Sequence, residues 1–337
     1  MNGKERVLAM FDGRPVDHLP LMPITMMFAT DLAGVRYRDY AADHRVLAEA
    51  QLRVAREFGF DHVSAISDPA REVADLGGAV EWFDDQPPAV VEGRALLADK
   101  ARLKTLSIPE LTAPGRMLDR VEAVALLKGR TVGALIVEGW VEGPCALGAD
   151  LRGLNTLMFD FHDDPEFVTA LFEFAVAMEL DFAGAQIAAG ADVIGIGDAA
   201  ASLIGPRLYE PFVLPFERKL VAGIQALGAR VRLHICGSTR KILRGMGSLG
   251  ADLVDLDFLC PMAEGRAVMG PHQALLGNLD PVRVIRDGTP EQVTRAVAEC
   301  LEAAGPRYVV GAGCEVPRGT PRENLLALTE FARSHRP

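Results

Sequence analysis

The chain has 337 residues, 49% of them hydrophobic and 24% charged, with a net charge of −11; this is an ordinary globular composition, long enough for one large α/β barrel or two smaller domains. The acidic balance argues against a general nucleic-acid surface and against docking on anionic lipid. Five cysteines, an odd count spread over the length, fit a reducing cytoplasm better than a disulfide framework; Met1 to Phe11 has no apolar core of the secretory kind, and no run approaches the roughly 20 apolar residues of a membrane span.

Arg6 to Phe11 gives a short helical entry, and Asp12-Gly-Arg-Pro15 is a turn by its dipeptides. Leu19 to Thr25 reads as a buried strand despite Pro20 and Pro23, with Met22, Met26 and Met27 read as core and the floor of a ligand pocket as the alternative. His44 to Phe58 has helical spacing, stopped by Gly59. Asp61 to Ile66 is a strand that closes on Ser67-Asp68-Pro69. Between 71 and 130 the pattern is irregular: Trp82 to Pro88 predicts a hairpin and loop, and Glu110 to Lys128 contains a helix.

Regularity returns with a strand over Thr131 to Val137 and a loop over Glu138 to Pro144. Asp164-Pro165 places Asp at a helix cap and Pro at the first position, and that helix runs toward Gly190. A strand over Asp192 to Asp198, a helix over Tyr209 to Leu227 and a strand from Val231 follow, then a helix to Leu249-Gly250. Further strands fall at Leu253 to Leu259, Ala274 to Gly277 and Tyr308 to Val310, with a helix from Pro290 to Ala304 and a closing helix from Pro321 to Arg333.

These make eight strands, near 20, 62, 131, 192, 231, 253, 274 and 308, mostly separated by helices. The later ones are apolar without strict alternation, as buried parallel strands are, and no dinucleotide fingerprint follows the first. The expectation is a TIM (β/α)8 barrel, one domain over residues 1–337 with an N-terminal extension and an insertion around 71–130. Its active site should lie at the C-terminal strand ends. Those ends carry Asp68, Glu142, Asp198, His234, Cys236, Asp257, Asn278, Asp280 and Cys314.

Within Val231-Arg-Leu-His-Ile-Cys-Gly237, His234 and Cys236 are two residues apart, so along a strand they share a face. Cys314, in Gly311-Ala-Gly-Cys-Glu-Val-Pro317, ends another strand. One imidazole and two thiols form a borderline-soft donor set that suits zinc, and three protein ligands leave the fourth position that a catalytic ion needs. The competing reading is a core imidazole beside a core thiol; Cys314 at a second strand end weighs against it. Glu142 is a fourth ligand, a substrate contact or a solvated loop carboxylate. Asp198, among glycines and alanines, is a catalytic candidate because a lone carboxylate there has few neighbours. Asp68, Asn278 and Tyr209 are candidates for cofactor or substrate contact, with turn, loop-holding and packing roles as alternatives. Cys145, Cys260 and Cys300 lack a His or Cys at ligand spacing and read as small hydrophobes.

Five segments carry a resemblance that covers nearly the whole chain: Phe11-Asp-Gly-Arg-Pro-Val-Asp-His-Leu-Pro20, Tyr209-Glu-Pro-Phe-Val-Leu-Pro215, Leu233-His-Ile-Cys-Gly237, Leu276-Gly-Asn-Leu-Asp-Pro281 and the 311–317 segment. The chain resembles the uroporphyrinogen decarboxylase superfamily, and within it the cobalamin-dependent methyltransferase branch that includes methylcobalamin:coenzyme M methyltransferases. The resemblance implies a TIM barrel, zinc on the H-x-C pair plus the late cysteine, and a corrinoid (cobalamin) protein as partner to a small methyl donor or acceptor. One departure separates the branches. The decarboxylases carry an arginine-rich segment near the N-terminus, where this chain has Met22-Pro-Ile-Thr-Met-Met27; gripping an octa-anionic tetrapyrrole without that clamp is hard to justify electrostatically. A decarboxylase and a non-catalytic corrinoid-binding barrel stand as alternatives, and the sequence leaves a homodimer open.

Overall fold

The computed structural model describes all of residues 1–337. Nine strands are present: β1 (His62–Ser64), β2 (Val80–Glu81), β3 (Ala89–Val90), β4 (Ile136–Glu142), β5 (Val193–Gly197), β6 (Arg230–His234), β7 (Leu253–Leu256), β8 (Ala274–Gly277) and β9 (Tyr308–Val309). Seven of them form one parallel sheet in the order β1-β4-β5-β6-β7-β8-β9, and β2 and β3 form a separate antiparallel hairpin. The segment around Leu21 closes the sheet into a barrel. Leu21 bridges Val310 in parallel, and on its other side its carbonyl accepts from the Asp61 N–H at 3.0 Å. Pro20 and Pro23 have no N–H to give, which is why the expected strand over Leu19 to Thr25 shrinks to one bridge.

The strand expected at Thr131 to Val137 is displaced. Helix Arg116–Thr131 continues through the first of those residues, and β4 occupies the stretch read as a loop, Glu138 included. A buried carboxylate within a strand is tolerated here because Arg232 of β6 meets Glu138 at 3.2 Å inside the barrel. The strand predicted through Leu259 ends at Leu256, where Asp257 turns the chain by accepting from the Leu259 N–H at 2.8 Å. Two adjoining helices, Pro144–Arg152 and Leu154–Asp163, were not anticipated. Helices His44–Phe58, Pro165–Ala189 and Pro290–Ala304 stand where the periodicity placed them.

The two barrel ends are treated differently. The N-terminal helix Gly3–Phe11 packs Val7, Met10 and Phe11 against Ile136, Val193, Leu253 and Ala274, at or beside the strand starts, and so plugs the bottom. Apolar burial at about 25 cal/mol per Å2 makes that plug stabilising. The opposite end is left to loops. No helix is long and apolar enough to cross a membrane.

Candidate metal centre and adjoining cavity

Arg232 and His234 project from the same face of β6 into the barrel, two residues apart. Asp255 of β7 accepts from the Arg232 Nε at 2.9 Å and lies 2.9 Å from His234 Nδ1. That carboxylate fixes the imidazole orientation and puts the Nδ1 proton on its own side, so Nε2 faces up the barrel. Two residues on, Cys236 reaches the same space. Cys314, just beyond β9, approaches from across the rim with Sγ 3.7 Å from His234 Nε2. The ligating atoms of His234, Cys236 and Cys314 all lie within 4.8 Å of one another. Burial pulls the His234 imidazole down, but Asp255 and Cys314 outweigh it and lift it to about 10. The bond between the two thiols lowers Cys236 and, together with burial, raises Cys314. Such splitting is what two sulfurs contesting one proton produce.

The three donors floor a cavity of about 200 Å3, walled by Trp140, Ile66 and Met26 and edged by Asp68, Glu142 and Glu315. Glu315, the residue after Cys314, accepts from the Met27 N–H at 2.6 Å and the Met26 N–H at 3.2 Å. Burial pushes it up to about 7 despite those bonds. A larger cavity of about 690 Å3 adjoins through Pro69, Glu142, Ala199 and Cys236, which line both. Its outer wall comes from the hairpin of the 71–130 insertion, through Pro87, Pro88, Ala89 and Val90.

The residues expected at the strand ends divide. Glu142 ends β4 at the junction of both cavities, buried, with Oε1 3.1 Å from Arg71 Nη2. Burial raises its carboxyl well above the usual range, against the pull of Arg71. Asp68 lines the smaller cavity but gives both oxygens to Arg116, at 2.7 and 2.6 Å. Asp198 is buried off the cavities and accepts from the N–H groups of Cys145 at 3.3 Å and Ala146 at 2.6 Å, capping helix Pro144–Arg152. Tyr209 is fully buried and donates its hydroxyl to Glu217 at 2.5 Å. Asn278 donates its side-chain amide to the carbonyls of Asp257, at 3.2 Å, and Cys260, and so pins a loop. The structure therefore brings Glu142 and Asp68 to the three donors and leaves Asp198, Tyr209 and Asn278 outside. Glu315 and Asp150 were missed. Glu315 stood inside a segment already singled out, whereas nothing in the sequence marked Asp150, on an unanticipated helix.

A barrel with a soft three-donor set at the C-terminal strand ends defines a class, and comparison with known proteins gives the family. Residues 2–335 match the family model described as Uroporphyrinogen decarboxylase (URO-D), and the chain belongs to that family. The chain is 28% identical to the methylcobamide:CoM methyltransferase MtbA of Methanosarcina mazei, over 99% of this chain and 98% of that protein. It is 27% identical to a uroporphyrinogen decarboxylase of Geobacter metallireducens, over 94% and 95%. A solved methyltransferase structure from Methanosarcina mazei superposes with a TM-score of 0.85 at 23% identity, covering 99% of this chain and 98% of that one.

Proposed function

We propose that this chain is a methyltransferase that moves a methyl group between a corrinoid, carried by a partner protein, and a small thiol, with zinc held by His234, Cys236 and Cys314. The observation that carries the reading is the convergence of three soft donors, from segments 80 residues apart, to within 4.8 Å beneath a cavity. The donor set fits the ion. Ligands 2.0–2.3 Å from a tetrahedral zinc stand about 3.3–3.8 Å apart, and Cys314 Sγ lies 3.7 Å from His234 Nε2. Bound there, zinc would hold a substrate thiol as its thiolate at neutral pH.

The chain's own residues supply orientation and enclosure. Asp255 keeps His234 Nε2 directed at the site. Trp140 and Ile66 give the space over the donors an apolar wall. Glu142, held by Arg71, is the substrate contact. In the transfer a sulfur–carbon bond forms as the cobalt–carbon bond breaks, the bonding pair stays on cobalt, and the thiol proton leaves to water.

Electrostatics weigh against the decarboxylase alternative. Neither cavity is lined by a lysine or arginine, so a polycarboxylate would enter an uncompensated site. A corrinoid carrier without catalysis would have no use for three soft donors left without other partners. The test is metal analysis together with absorbance-monitored demethylation of methylcobalamin in the presence of a thiol. About one zinc per chain and zinc-dependent demethylation are expected. Undiminished transfer by zinc-free protein, or conversion of uroporphyrinogen seen by product mass, would overturn the reading.

A further inference from the structure

The larger cavity is one-sided in charge. Glu92, Glu142 and Asp150 line it, and no lysine, arginine or histidine does. The smaller one adds Asp68 and Glu315, and its single basic group is the metal-site His234. The guanidinium groups nearby face carboxylates and line neither cavity, although Arg71 Nη1 has no partner. Arg71 is fully buried between Glu72, at 3.0 Å, and Glu142, and Arg116 is spent on Asp68. Glu142 itself is only 7% exposed, and while its Oε1 takes Arg71, no donor reaches Oε2. Asp150 has no hydrogen-bond donor on either oxygen, and burial, with Glu72 adding to it, pushes its carboxyl up to about 8. Asp150, half-buried, has no ion-pair partner, and Glu142 shares Arg71 with Glu72; carboxyl groups so short of cation are costly to ionise, and a ligand that brings one lowers the cost.

Resting on the methyl-transfer reading above, we propose that the thiol accepted here carries a cationic group on its non-reacting end, as an aminoalkyl thiol does, and that thiols bearing a sulfonate or carboxylate are selected against. Cys236 and Glu142 border both cavities. A molecule whose sulfur lies at the three donors therefore extends its far end toward Glu142 and Asp150. An ammonium there offers three donors to Glu142 Oε2 and the two Asp150 oxygens, which accept from no group of the chain. A sulfonate would be stripped of water there with no lysine or arginine lining either cavity to receive it, and a charge left desolvated and unpaired is a strong source of specificity.

Three thiols with the same two-carbon spacing separate the cases: 2-aminoethanethiol, 2-mercaptoethanol and 2-mercaptoethanesulfonate. Each is titrated calorimetrically into the zinc-loaded full chain and then offered as acceptor from methylcobalamin. The cationic thiol should bind at least about tenfold more tightly than the sulfonate, with the neutral one between. Asp150→Asn should shrink that ratio about threefold or more, mainly by weakening the cationic ligand. Equal or tighter binding of the sulfonate overturns the proposal, and so does a ratio that ignores Asp150→Asn. If the thiols bind in the expected order but none is methylated, the charge preference stands and the methyl-transfer reading falls. If none binds, both fall.

Discussion

Two polar clusters occupy adjacent strand ends on the same side of the barrel, and they are built on opposite terms. At the end of β5, Asp198 caps a helix through two N–H groups, and Glu217 behind it takes the Tyr209 hydroxyl on one oxygen, its other oxygen being satisfied within the chain only by a proton shared with Asp198. At the end of β6, Asp255 takes one nitrogen of His234, while the other nitrogen and the sulfurs of Cys236 and Cys314 have only one another. Buried polar atoms are ordinarily satisfied by their own chain. Where they are, the cluster holds the fold together. Where they converge on a cavity still lacking partners, the protein has left them for something else. The difference teaches that a polar residue at a strand end is not by itself a functional signal; its leftover valence is.

The sharpest way to break this contrast is to remove one leftover donor. Cys314→Ser should reduce zinc content from about one per chain to near zero and lower methyl transfer by more than about a hundredfold, because two ligands cannot hold an ion that needs three. The melting temperature without metal should hardly move, since Cys314 makes no contact that the metal-free fold needs beyond its sulfur and imidazole neighbours. Retained zinc in this variant would mean that the three donors are not the site. Asp255→Asn is the intermediate case, because Asp255 belongs to the satisfied set yet acts on the unsatisfied one. Losing the carboxylate frees the His234 ring to turn and weakens its donor character; a 10–100-fold loss of zinc affinity is the ordinary size of such an effect. Chelator competition measures it. Affinity unchanged within twofold would detach Asp255 from the site.

How much of this was legible before the fold was known follows the same division. The periodic helices and the two soft-donor segments declared themselves, since period and residue type are local properties. His234, Cys236 and Cys314 were found because imidazole and thiol at strand ends have few structural uses in combination. Asp198 and Tyr209 drew notice for the same positional reason, and the local sequence could not reveal that distant groups, the Cys145 and Ala146 N–H and Glu217, already satisfy them. Glu138 misled in the other direction. Its charge and the neighbouring Gly139 read as loop, whereas Arg232, 94 residues away, makes it an interior strand residue. Asp150 was invisible because its meaning depends on a cavity wall supplied by the hairpin at 80–90.

The satisfied cluster is open to a subtler test, through pH. Burial pushes Glu217 up to about 7 from an ordinary 4.5, with hydrogen bonds from Tyr209 and Asp198 pulling it partway back. Burial, and then the charge on Glu217, raises Asp198 well above its usual range. A carboxyl whose folded value exceeds its unfolded one binds more protons in the native state between the two. The Glu217 contribution to stability therefore falls as pH rises from about 4.5 toward 7 and levels off above. The loss is on the order of 1 kcal/mol per pH unit within that window. Glu217→Gln keeps an acceptor for Tyr209 and cannot ionise, so denaturant midpoints of the variant should be flatter than wild type across that range, with zinc binding unaltered. Parallel slopes in the two proteins would show that Glu217 does not ionise on its own there, and the β5 cluster would have to be read as one proton shared among all its members.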